Sequence, residues 1–259
     1  MMPAVTRRGR LALVLGLVVI LAIVWGWLLA GAGMEMSAIE MTAMAGMDGW
    51  LMQPAVWTLR YAVLVFVMWW VMMIAMMLPS AMPMLLLFAR ANQTDRSDRT
   101  ALVSTATFAG GYLLIWGSFC ALATALQYGL ESARLMSPML VMTNHWLGAG
   151  ILVAAGLWQI TPFKSVCLRH CRSPLSFLVG RWRPGRTGAF RMGLEHGAFC
   201  LGCCWFLMLL LFVGGVMNLY WIVGLSVFVL LEKTIPFGHW LGRVLGIALV
   251  GWGVALAAK

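Results

Sequence analysis

The 259 residues are 63% hydrophobic and 10% charged, and the mean hydropathy is +0.92. A water-soluble domain of this length needs more surface charge, so a soluble globular protein and low-complexity disorder are both excluded. The net charge of +10 would point to nucleic acid in a soluble chain. In a membrane chain its distribution between the two faces carries the information instead, and no nucleic-acid partner is expected.

A membrane helix needs about 20 mostly apolar residues. The first such stretch runs from Leu11 to Ala30 behind Arg7, Arg8 and Arg10. Its uninterrupted length favours a retained helix over a cleaved signal peptide, although Ala30-Gly31-Ala32 resembles a cleavage site. Further spans are predicted at 59–87, 101–126, 145–161, 194–214, 217–231 and 239–257. The fold class is therefore an all-α, polytopic bundle of about seven transmembrane helices forming a single integral membrane domain.

Placing the N-terminus inside puts 15 of the 18 basic residues on the cytoplasmic face, leaving Arg60, Arg134 and Lys259 elsewhere. That asymmetry predicts an N-in, C-out, multi-pass protein of a bacterial inner membrane. Around the spans lie a basic N-terminus (1–10), a Met-rich outer loop (31–57) and a basic cytoplasmic loop (162–193) that carries Cys and His. Gly238, Gly242 and Gly246 form a small-residue ridge suited to close helix packing.

The outer loop spaces Met34, Met36, Met41, Met44 and Met47 among Glu35, Glu40 and Asp48. It is read either as weak capture of a soft monovalent cation or as an apolar connection on the bilayer surface. On the second span Met68, Met72 and Met76 share an arc of about 80°, with Met73 and Met77 beside them. Gap-filling packing competes with metal ligation for Met72, Met76 and Met77. Pro79 and Pro83 are expected to break the hydrogen bonding of this helix and open its inner end.

The cytoplasmic loop carries Cys167-Leu168-Arg169-His170-Cys171, two thiols and an imidazole within five residues. Such a set can close on one ion, although Cys-x3-Cys is looser than a zinc knuckle. The fifth span carries His196, Cys200, Cys203 and Cys204. With His196 at 0°, the thiols fall at about 40°, 340° and 80°, so all four share one helix face. Thiolate and imidazole suit Cu(I) and Zn(II), and nearby thioethers favour copper over zinc. Metal binding competes with plain packing, in which Cys is a small apolar residue.

Glu195 either orients His196 or pairs with an arginine. Glu232 and Lys233 are expected to neutralise each other or to reach the interface. Asn218 is expected to cap a helix, and His145 and His239 to be interfacial. The sequence has no phosphate-binding loop, nucleophile elbow or His-Glu-x2-His motif, so a single-chain ATP-driven pump is excluded.

Several of these segments resemble a known family: Met73-Ile74-Ala75-Met76-Met77-Leu78-Pro79-Ser80, Cys167 to Pro174, His196-Gly197, Cys200 to Trp205 and Met217-Asn218-Leu219. The resemblance is to a bacterial family of unknown function described as predicted metal-binding integral membrane proteins. It implies a polytopic inner-membrane protein with a metal ligand set and no established activity. The reading is metal transport, trafficking or homeostasis, with the lipid bilayer, a metal ion and other membrane proteins as partners. Two alternatives stand beside it: a membrane oxidoreductase using Cys200 and Cys203 or a bound copper, and an assembly subunit without a site. Whether the chain is an enzyme is left open.

Overall fold

The computed structural model describes residues 7–34, 36–44, 56–92 and 98–258. Residues 1–6 of the basic N-terminus, Glu35, Met47 and Asp48 of the outer loop, Arg96 and Lys259 lie outside them. The described residues form ten helices and no strand. In chain order these are α1 (Arg7–Leu29), α2 (Ala38–Ala43), α3 (Leu59–Asn92), α4 (Asp98–Ser132), α5 (His145–Ile160), α6 (Pro162–Arg172), α7 (Pro174–Arg181), α8 (Gly185–Gly214), α9 (Leu219–Thr234) and α10 (Gly238–Ala257).

Five helices, α1, α3, α4, α8 and α10, are long and apolar enough to cross a membrane, and the count is six if the bent α5–α6 pair is one span. The remaining expected span, 217–231, corresponds to α9, whose 16 residues rise only about 24 Å against a hydrocarbon core of about 30 Å. The sequence expectation and the structure thus agree on an all-helical chain and differ on the count. Large apolar side chains remain exposed along α1, α5 and α10, Ile23, Leu157 and Ile247 among them, as a lipid-facing surface requires.

The segment 162–193 is not an irregular loop. Thr161 ends α5 in an extended conformation, and its side chain then accepts from the Lys164 amide at 3.3 Å to cap α6. Pro162 follows at the first position of α6, where its missing N–H costs nothing. The two helices meet at 64°. A second proline, Pro174, starts α7, and α8 begins at Gly185.

Nor do Pro79 and Pro83 open α3, which runs unbroken through both. Hydroxyls from neighbouring helices cover this stretch. Ser226 donates to the Met76 carbonyl at 3.3 Å, and Tyr112 donates to that of Met77 at 3.4 Å.

Glycine pairs bring the helices together. A β-carbon at Gly193 of α8 would lie 2.0 Å from the Phe108 carbonyl oxygen of α4. One at Gly156 of α5 would lie 2.6 Å from the Gly246 carbonyl oxygen of α10. These contacts permit the close backbone approach that substitutes for hydrophobic driving force in lipid. Asn218 caps α9 by accepting from the Tyr220 amide at 3.0 Å. Ser37 and Glu40 form a reciprocal capping box on α2.

The core lies between α3, α4, α8 and α9. It contains Met68, Met72, Met73, Met76 and Met77 of α3 and Cys200, Cys203, Cys204 and Met208 of α8, all buried.

Candidate metal centre

Cys200, Cys204 and Met208 recur every four residues on α8 and so stack on one face, with Cys203 beside them. Cys203 and Cys204 donate back to the Cys200 carbonyl at 3.1 and 2.9 Å. The Cys204 sulfur also meets Met77 Sδ of α3 at 3.9 Å. From α6, half-buried Cys171 packs against the core that holds Cys200, Cys203 and Cys204. One turn earlier Cys167 sits over Gly202, where a β-carbon would lie 2.9 Å from its sulfur. The bend after α5 therefore carries both thiols of α6 across α8, which no inspection of the helix wheel reveals. All six cysteines are free thiols, and Cys120 stands apart on α4.

Both imidazoles are packed among aromatic rings. His170 stacks on Phe199 with centroids 4.0 Å apart and planes inclined by 2°, and its Nδ1 lies 3.0 Å from the Val166 carbonyl oxygen. His196 is boxed by Phe108, Tyr112 and Phe177. Its Nδ1 is buried without a hydrogen-bond partner. Glu195 meets Arg181 and Arg183, each at 2.9 Å. Met72 and Met76 lie in the α3 core above Met77. Among the described residues no three His, Cys, Asp or Glu side chains are arranged to hold a metal ion. The thiols of Cys203 and Cys204 point back along their own helix rather than at a common centre, which accounts for that.

One charged side chain, Lys233, adjoins the sulfurs in a way the sequence does not reveal. The sequence leads one to expect Glu232 and Lys233 to neutralise each other or to reach the interface, but consecutive helical residues point about 100° apart and cannot face one another, and both side chains are buried. Glu232 turns instead to Lys164 of α6 and pairs with it in a buried salt bridge. Lys233 turns to the thiols, and its Nζ donates to Cys200 Sγ at 3.0 Å and to Ser80 Oγ at 3.1 Å. The Tyr112 hydroxyl lies 3.1 Å from the same sulfur. At the far end of α6, Arg172 donates to the carbonyls of Ile235 and Pro236 at 2.6 and 2.5 Å. Both ends of α6 are thus fastened to the end of α9 and the turn after it, with Cys167 and Cys171 between the two ties.

Chemically the cluster is sulfur-rich, with Cys200, Cys203 and Cys204 buried and Cys171 half-buried. Four thiols, a thioether and one ammonium meet at the junction of α3, α6, α8 and α9. Soft monovalent Cu(I) suits such donors better than a hard cation does. The six side chains are held by four separate helices, so their proximity depends on the whole bundle.

A family model described as PpoB2, copper chaperone, matches residues 66–256, well over half of the chain. The match takes in α3 from its second turn through nearly all of α10, and so every thiol discussed above. No curated protein and no solved structure matches.

Proposed function

Because the chain belongs to the PpoB2 family of copper chaperones, we propose that it is a multi-pass membrane protein that takes Cu(I) as cargo in the sulfur cluster of Cys171, Cys200, Cys203 and Cys204. The observation that carries this reading is the packing of the half-buried α6 thiols against the buried thiols of α8, next to the Met77 thioether. Binding exchanges the thiol protons for the metal. The bonds from Cys203 and Cys204 to the Cys200 carbonyl are then given up for bonds to copper. Zinc accepts four thiolates as readily, but the adjoining thioether and the family favour copper.

Cys167 is the half-buried outermost sulfur of the group and the first a copper donor or acceptor meets. Met72 and Met76 continue the line of sulfur along α3 toward the outer side. His170 and His196 serve packing in this reading, because their rings are engaged by aromatic neighbours. Glu195 holds the α7–α8 connection through its two arginines.

Counting α9 as a short span gives seven crossings. The distribution of basic residues supports an N-in, C-out arrangement in a bacterial inner membrane. That orientation places the cluster toward the reducing cytoplasm, where thiols remain available. Anaerobic loading of the detergent-solubilised protein tests the proposal. The wild type retains Cu(I) in stoichiometric amount through a challenge with bathocuproine disulfonate, and the Cys200→Ser, Cys203→Ser variant loses it. Equal retention by both would overturn the ligand assignment.

A further inference from the structure

The Lys233 ammonium is buried and donates hydrogen bonds to a thiol and a hydroxyl, Cys200 Sγ and Ser80 Oγ. The nearest carboxylate in sequence, Glu232, is taken by Lys164 on the other side of α9. Among the described residues Lys233 forms no salt bridge to a carboxylate. A buried cation without a counter-ion is costly, and so is a buried anionic metal complex. Each is the natural remedy for the other.

We propose that Lys233 is the charge-balancing residue of the copper site and sets its preference for a monovalent over a divalent ion. The proposal rests on the copper reading above. With two of the four thiols binding Cu(I) as thiolates and the other two staying protonated, the complex carries one net negative charge, and a fixed ammonium 3.0 Å from Cys200 Sγ makes the assembly neutral. A divalent ion held by the same two thiolates is already neutral, and the same ammonium then leaves one uncompensated positive charge. Low surrounding polarity magnifies this difference, since no bulk water screens it. Ser80 and Tyr112 complete the arrangement. Ser80 accepts from Lys233 and itself donates to the Met77 carbonyl at 2.9 Å, which fixes the ammonium on the thiol side of α3. Lys233 touches the sulfur that would carry the metal but need not touch the metal itself, so it is a positioning residue.

The test uses the full chain in detergent with Cu(I) alone or Zn(II) alone, each measured by competition with a chromophoric chelator. Three variants are compared: Lys233→Met and Lys233→Gln, which remove the charge with and without keeping a polar end, and Lys233→Arg, which keeps it. The expected result is a loss of Cu(I) affinity of about 10–100-fold in the neutral variants. Zn(II) affinity is unchanged or higher in them, and Lys233→Arg stays close to wild type in the ratio of the two. A purely structural lysine would lower both affinities together and leave the ratio constant. A constant ratio therefore overturns the proposal, as does wild-type Cu(I) affinity in either neutral variant that elutes as a single folded species. If both neutral variants misfold, Lys233→Arg decides: a wild-type Cu(I)/Zn(II) ratio upholds the proposal and a lost Cu(I) preference overturns it. A folded wild type that binds no Cu(I) would instead dismiss the copper reading itself, an outcome separable from the others.

Discussion

Replacing Glu232 by Gln should detach α6 from α9 and scatter the thiols. Both members of the Lys164–Glu232 pair are almost fully buried, at 2% and 1% exposure. The Gln side chain keeps the shape but leaves the Lys164 ammonium without a counter-charge. Breaking such a pair from one side costs about 3–5 kcal/mol, whereas replacing both partners by apolar residues is close to neutral. The structure adds a steric reason for the pair's position. A β-carbon on Gly242 would lie 2.3 Å from Glu232 Oε1, so α10 closes directly over the carboxylate and leaves little space for a new solvating partner. Glu232→Gln is therefore expected to lower Tm by roughly 10 °C. The Lys164→Met, Glu232→Leu double variant should recover most of that. Thermal unfolding in detergent gives the stability. Iodoacetamide labelling read by mass spectrometry reports the release of Cys167 and Cys171, which should react faster in the single variant. A single variant as stable as wild type, with unchanged labelling, would refute the view that this pair fastens α6.

Three other outcomes follow from local geometry. Gly156→Leu should separate α5 from α10 and cost at least about 1–3 kcal/mol, since its β-carbon would lie 2.6 Å from the Gly246 carbonyl oxygen; the measurement is Tm. Gln127→Leu should cost about 1–3 kcal/mol and change tryptophan fluorescence. It removes the acceptor of the buried Trp69 indole at 2.8 Å and the link from there to Glu131. On α2, the Ser37 hydroxyl and amide hold the Glu40 carboxyl below its ordinary value of 4.5. A depressed folded value stabilises the cap above the unfolded one and loses that contribution as pH falls through it. The protection factor of the amides in 38–43, taken relative to the intrinsic exchange rate at each pH, should fall on acidification in the wild type and stay constant in Glu40→Gln.

Hydropathy and charge made most of the helices legible before any coordinates, because a span must satisfy every backbone group and remain apolar. The starts and ends of α5, α9 and α10 fall within a few residues of those expected. What hydropathy missed was α6 and α7, whose Lys and Arg content reads as a loop. Thr161-Pro162 and Ser173-Pro174 were the available signs, each a hydroxyl residue followed by a proline at a helix start.

The site was legible only in part. Helical spacing aligned Cys200, Cys203 and Cys204, but it also placed His196 on their face. Aromatic side chains from α4 and α7 enclose that imidazole. Periodicity within one helix cannot show what neighbouring helices bring, and for the same reason it could not bring Lys233 to Cys200. The sharper clue was the impossibility of pairing Glu232 with Lys233 on one helix, which leaves two charges each in need of a distant partner.

X-ray absorption at the copper K edge of the anaerobically loaded, detergent-purified protein tests the central claim most directly. The sulfur cluster predicts Cu(I) with a shell of sulfur atoms alone, lost in the Cys200→Ser, Cys203→Ser variant and kept in His170→Ala. A shell containing imidazole nitrogen, or copper bound equally in the thiol-deficient variant, would contradict it.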